Sequence, residues 1–210
     1  QQIQDYSEIY TYGTSATNDC VLMLIDANPN VQVQFEGMVI KTQLIGDYNY
    51  GNIAAAIAIG HYFEVSRANI KKAIENYRPT NNRSEIIEKS SNKIILDAYN
   101  ANPTSMLAAL KNFYQLKSKN KYLFLGDMFE LGDMASAEHQ AITDYAENHF
   151  DQNIFLIGEN FYKTKTKPTT HTYLNFEDFE KELRRLEFIE STLLVKGSRG
   201  MKLERILAFV

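Results

Sequence analysis

From Glu85 to the end of the chain, short apolar runs alternate with longer segments whose apolar residues recur every three or four positions. No other feature constrains the fold as much. Strands that alternate with helices of ten or more residues give a mostly parallel sheet joined by crossover helices. The pattern predicts strands at Glu85–Lys89, Lys93–Asp97, Lys121–Leu125, Asn153–Ile157, Thr170–Tyr173 and Thr192–Val195. It predicts helices at Thr104–Leu116, Ser136–His149, Phe176–Glu187 and Met201–Phe209. This part of the chain is expected to be a compact, doubly wound α/β domain.

The preceding part is less regular. Val31, Val33 and Phe35 alternate at period two after the turn Asn28-Pro29-Asn30, and Met38–Leu44 reads as a further strand. Gly46–Gly51 is a loop, and Asn52 is predicted to cap an Ala-rich helix that ends near Gly60. Ser66 is predicted to cap a second helix, with Ile70, Ala73, Ile74 and Tyr77 at helical spacing. The early strands have no evident partners, so this part reads as the tail of a larger domain. Pro79 and the paired asparagines Asn81 and Asn82 stop the second helix and mark a linker. The division expected is residues 1–81 and 82–210.

Composition excludes several classes. A formal charge of −4 leaves no basic footprint for nucleic acid and no polybasic patch for a membrane surface. No apolar stretch is long enough to span a bilayer. The one cysteine, Cys20, permits no intrachain disulfide and no cysteine-based zinc cluster, which fits a reducing cytoplasm. It lies in the apolar run Cys20–Ile25 and reads as a buried thiol. The first six residues contain neither a basic segment nor an apolar run, so no secretory leader is expected there. The missing initiator Met points to a processed product or a piece of a longer chain. The sequon Asn82-Arg83-Ser84 is read as a chance match.

The chemistry gathers at loop positions. Ile94-Ile95-Leu96 ends in Asp97, and the turn Ala98–Asn102 follows before Pro103 opens a helix. Open α/β sheets bind ligands at the carboxyl ends of their strands. A carboxylate there either caps the turn or holds a ligand. Arg83 follows the linker, and a guanidinium fork suits phosphate, although most arginines are plain surface residues. Asn49 and Asn52 flank the loop before the Ala-rich helix. Gly126-Asp127-Met128-Phe129-Glu130-Leu131-Gly132 lies between a strand and a helix, and His139 on that helix is read as structural. Lys196-Gly197-Ser198-Arg199-Gly200 joins a strand to a helix and offers groups for a carboxylate, or else faces solvent. The chain has no Gly-x-x-x-x-Gly-Lys-Ser/Thr stretch and no Gly-x-Gly-x-x-Gly stretch.

Six segments in this order resemble the Mur ligases, and within them the branch that adds D-alanyl-D-alanine. They are Tyr12-Gly13, Gly46–Asn52, Asn82–Glu85, Asp97–Pro103, Gly126–Gly132 and Lys196–Met201. The resemblance covers essentially the whole chain. It implies a Rossmann-like C-terminal domain preceded by the last part of the central ATPase domain. It further implies ATP and Mg2+ as cofactors, with UDP-N-acetylmuramoyl-tripeptide and D-alanyl-D-alanine as substrates, in a cytoplasmic monomer that makes a peptidoglycan precursor through an acyl phosphate. Asp97 is then expected to bond the ribose hydroxyls, Arg83 the phosphates, and Asn49 and Asn52 the adenine edge. Lys196, Ser198 and Arg199 are expected to hold the carboxylate of the dipeptide, with Asn100 and Asn102 lining that site. The usual family pattern is Gly-x-His-Asn-x-x-Asn, and Tyr48 stands in the His place. The family's phosphate loop and metal ligands lie upstream of this stretch, so the chain is expected to be an inactive part of the ligase. The alternatives are a ligase similar to folylpolyglutamate synthase, and a non-catalytic module that binds nucleotide or dipeptide.

Overall fold

The structure, a computed structural model, describes residues 8–210. The start read as lacking a leader, residues 1–6, lies outside them. The chain divides into two compact units, one reaching to Arg78 and the other starting at Pro79.

The first unit is a four-stranded sheet with two helices. Strands β1 (Tyr12–Gly13), β2 (Cys20–Asp26), β3 (Asn30–Phe35) and β4 (Met38–Ile45) lie in that order. β1 runs parallel to β2, and the other pairs are antiparallel. The early strands are thus partnered by one another. Alternation sends Val31, Val33 and Phe35 to one face, where they pack with Ile53, Ala54, Ile57 and Ala58 of α1 (Tyr50–Tyr62) and Ile70 of α2 (Arg67–Asn76). Cys20 is buried in this core, as expected. Ser66 caps α2 by accepting the Asn69 N–H. Asn52 does not cap α1: the helix starts two residues earlier, after a 3-10 turn at Asp47–Asn49, and Asn52 lies inside its first turn.

The second unit has six strands: β5 (Glu85–Lys89), β6 (Asn92–Asp97), β7 (Asn120–Gly126), β8 (Ile154–Ile157), β9 (Thr170–Tyr173) and β10 (Ser191–Lys196). Their order is β5-β6-β10-β7-β8-β9. Only the edge strand β5 is antiparallel to its neighbour. Helices α3 (Pro103–Gln115), α4 (Ala135–His149), α5 (Glu159–Tyr162) and α6 (Phe176–Leu183) make the crossovers. All six residues of β10 are buried, as a central strand covered on both faces requires. Ile94, Leu96, Phe124, Phe155, Leu193 and Val195 share one core with Phe176, Phe179 and Leu183 of α6. Alternation sends Ile95, Leu123, Leu125 and Leu194 to the other face, where they are buried as well.

Two helical expectations change. The last segment is not one α-helix: it forms 3-10 turns at Arg199–Met201 and Leu203–Phe209, interrupted by the left-handed Lys202 with φ 51°. The helix from Phe176 ends at Leu183 rather than Glu187.

Candidate functional site at the carboxyl edge of the sheet

Because β10 lies between β6 and β7, the chain ends of these three strands are adjacent. In register, Lys196 is paired with Asp97. The Lys196 ammonium donates to Oδ2 of Asp97 at 2.5 Å. The lysine side chain is 2% exposed and the aspartate side chain 13%. Oδ1 of Asp97 accepts the Ser84 N–H at 3.1 Å. A carboxylate offers about four acceptor positions; these two bonds leave room for two further donors.

The same carboxylate helps to hold the segment that carries Arg83. Asn82 and Ser84 both have left-handed backbone, with φ 57° and 50°. Such conformations cost on the order of 1 kcal/mol each and persist where surrounding bonds enforce them. Here the Asn82 carbonyl accepts the Tyr99 N–H at 3.2 Å, and the Asn82 N–H donates to Glu85 at 3.3 Å. The Arg83 guanidinium consequently lies over the Tyr99 ring, 3.9 Å from its centroid. The Arg199 guanidinium lies 5.1 Å from the same centroid. Neither arginine has an ion-pair partner among the described residues.

Arg199 is placed by two interlocked loops. The Ser198 N–H donates to the Asp127 carbonyl at 3.0 Å, and the Ser198 hydroxyl accepts the Phe129 N–H at 2.9 Å. A methyl group on Gly200 would lie 2.7 Å from the Phe129 ring, and one on Gly126 2.8 Å from Leu203. Either substitution would require the neighbouring side chain to move. The Asp127 side chain turns to the neighbouring end of β8. Its buried carboxylate accepts the Asn160 N–H at 2.9 Å, the Asn160 amide at 3.1 Å and the Phe161 N–H at 3.0 Å, capping α5. Gly158 at φ 129° makes room for it. His139 is fully buried; Nε2 accepts the Met128 N–H at 3.0 Å, and Nδ1 donates to the Ala135 carbonyl at 2.6 Å. It is a neutral tautomer that fixes the loop, the structural role expected for it.

The remaining candidates divide by location. The Asn102 side chain accepts the Ser105 N–H at 2.8 Å in a capping box at the start of α3, with Pro103 as the first helical residue. The Asn100 side chain accepts the Ala101 N–H at 2.9 Å and closes the turn. Lys196 and Ser198, expected at a dipeptide carboxylate, are buried with their polar atoms engaged by Asp97 and Phe129. Arg199 is exposed. In the first unit, the Asn49 amide donates to the Ile45 carbonyl at 2.8 Å, and its oxygen accepts the Asn52 amide at 3.3 Å. Sequence reasoning missed Tyr99, Ser84 and Asp127. Tyr99 carries the one available signal, an aromatic ring two residues past the acid that ends a strand.

A mostly parallel sheet that carries an acid held by a lysine at its carboxyl edge, beside two guanidiniums with no ion-pair partner among the described residues, defines an α/β domain of the open-sheet class. Residues 82–199 match the family described as Mur ligase, glutamate ligase domain. The chain belongs to the Mur ligases. It is 32% identical over 209 residues to the UDP-N-acetylmuramoyl-tripeptide--D-alanyl-D-alanine ligase of Bacillus subtilis, covering 94% of this chain and 46% of that protein. A crystal structure of MurF from Acinetobacter baumannii superposes with a TM-score of 0.81 at 27% identity, over 96% of this chain and 46% of that one. The MurF ligase of Thermotoga maritima, solved in complex with ADP, shares the fold, with a TM-score of 0.75 at 20% identity over 94% of this chain and 47% of that one. The chain thus spans about half the length of the relatives it matches. The mostly parallel six-stranded sheet is the fold of the Mur ligase C-terminal domain.

Proposed function

We propose that this chain is the C-terminal part of an ATP-dependent ligase that adds D-alanyl-D-alanine to UDP-N-acetylmuramoyl-tripeptide in the cytoplasm, in peptidoglycan precursor synthesis. The observation that carries this reading is the 32% identity, over 209 residues, to a ligase of that name. The tripeptide carboxylate is phosphorylated by ATP, the dipeptide amine attacks the acyl phosphate, and the tetrahedral intermediate collapses to an amide with release of phosphate.

The site fits the nucleotide on the chemistry of its donors and acceptors. The two acceptor positions left on Asp97 match two vicinal ribose hydroxyls, with Lys196 and Ser84 holding the carboxylate still. Arg83 is assigned to the phosphates, and Asn49 and Asn52 to the adenine edge, which an amide matches with one donor and one acceptor. Arg199 is assigned to the dipeptide carboxylate. Ser198 and Lys196 support that residue's loop, and Asn100 and Asn102 shape the adjoining turn. Bound magnesium offsets phosphate charge in such chemistry. No phosphate-cradling stretch is present in the sequence. The reading therefore assigns the phosphate-cradling loop and the metal ligands to another part of the ligase, and this chain alone is inactive.

The test is ADP release by the full-length gene product with UDP-N-acetylmuramoyl-tripeptide, magnesium ATP and D-alanyl-D-alanine, each omitted in turn. Release that requires all three supports the reading. Release driven by glutamate in place of the dipeptide moves the chain to a folylpolyglutamate synthase type of ligase.

A further inference from the structure

Both chain neighbours of Arg199 are engaged by one residue, Phe129. The Ser198 hydroxyl accepts the Phe129 N–H at 2.9 Å, and the edge of the Phe129 ring packs on Gly200, where a methyl group would lie 2.7 Å from Cε2. We infer that Phe129 determines which acceptor the ligase takes. It positions Arg199, and its exposed ring is the apolar surface beside that arginine on which the alkyl group next to the acceptor's carboxylate rests. The inference rests on the ligase reading, in which Arg199 holds that carboxylate, and deepens it by naming the residue that reads the adjoining side chain.

A single exposed phenylalanine by itself marks nothing. This one is 44% exposed and stands on a fixed backbone. The Asp127 N–H donates to the Ile157 carbonyl at 3.1 Å, the Met128 N–H to Nε2 of His139 at 3.0 Å, and the Phe129 N–H to Ser198. The Asp127 carbonyl accepts the Ser198 N–H at 3.0 Å, so residues 127–129 and the loop of Arg199 form one support. Little ordering cost is then left for binding. The Asp127 and Met128 side chains are buried, which leaves Phe129 as the first side chain of its segment open to a ligand. Its ring lies against Gly200, and consecutive Cα atoms are about 3.8 Å apart. The phenyl edge and the exposed arginine are therefore one residue's length from each other along the chain. A charged fork beside an apolar ring suits a ligand with a carboxylate and a small alkyl group on one carbon. The carboxyl end of D-alanyl-D-alanine is such a group. Glutamate brings a second carboxylate in place of the methyl, and a charge set against a phenyl ring loses hydration without a partner.

The experiment follows ADP release by the full-length gene product with magnesium ATP and UDP-N-acetylmuramoyl-tripeptide, varying D-alanyl-D-alanine or D-alanyl-glycine, which lacks the terminal methyl. The parent is expected to prefer D-alanyl-D-alanine by about tenfold in kcat/KM, and Phe129→Ala to reduce that preference below about threefold. Phe129→Ala should also raise the KM for D-alanyl-D-alanine about tenfold, with kcat and the KM for ATP within about twofold of the parent. Phe129→Leu keeps an apolar side chain and should retain most of the preference. Gly200→Ala displaces the ring from the other loop and should raise the same KM. An unchanged KM for the dipeptide in Phe129→Ala, an equal rise in the KM for ATP, or an undiminished preference over D-alanyl-glycine would overturn the inference and leave the ligase reading standing. ADP release by the parent that does not need the dipeptide overturns the ligase reading itself, and the inference falls with it.

Discussion

Neutralising Asp97 should destabilise the second unit through Lys196, and a second substitution should restore it. In Asp97→Asn the amide oxygen still accepts the Ser84 N–H, but the Lys196 ammonium, in a side chain 2% exposed, loses its carboxylate. An uncompensated buried charge costs about 3–5 kcal/mol. Lys196→Met is milder. It leaves a carboxylate that is 13% exposed, keeps the Ser84 N–H and can be reached by water, so a cost of about 1–3 kcal/mol is expected. The double variant Asp97→Asn/Lys196→Met buries no charge and should lie within about 1 kcal/mol of the parent. The cycle then gives a coupling of at least about 2 kcal/mol. Urea unfolding followed through the backbone amides of β6, β7 and β10 measures all four proteins on the unit concerned. Additive losses, or an Asp97→Asn cost below about 1 kcal/mol, would falsify the claim that the pair is a buried, mutually dependent one.

Gly158→Ala would place a methyl carbon 2.3 Å from the Asp127 carboxylate carbon in a left-handed backbone; a loss of about 3 kcal/mol is expected, read as faster hydrogen exchange at the Phe161 amide. Asn102→Ala removes the cap of α3 and should cost about 1 kcal/mol in a urea melt. Burial pushes the Tyr173 phenol from 10.0 up to about 12. The unfolded chain therefore loses this proton first, and stability falls as pH rises between those values. Tyr173→Phe should remove that part of the decline in alkaline urea melts.

What could be read in advance followed from local physics. β5 and β9 coincide with their predicted bounds, and β6, β7, β8 and β10 differ by one residue at one or both ends, because each is an apolar or alternating run closed by polar residues. Pro103 announced the start of α3. The failures lie where local pattern and space disagree. Leu203, Ile206 and Leu207 recur at helical spacing, yet the left-handed Lys202 divides the segment into tight turns. α5 has four residues, fewer than any periodicity can reveal. The site shows the same division. Asp97 was visible as an acid ending a strand, but its partner Lys196 is 99 residues away, and only the strand order brings them together. Asp127 could be read only as an acid in a segment between a strand and a helix, and only the tertiary fold shows it buried on α5.

The position of β10 has a consequence for how the protein is made. The strand synthesised last in the sheet is inserted at its middle, between β6 and β7. While the ribosome is still adding Ser191–Lys196, β6 and β7 each expose an apolar edge whose partner does not yet exist. A sheet assembled through such long-range pairings folds slowly, and its open edges invite association with other chains. The second unit is therefore expected to need shielding by a chaperone until its final sixth has emerged.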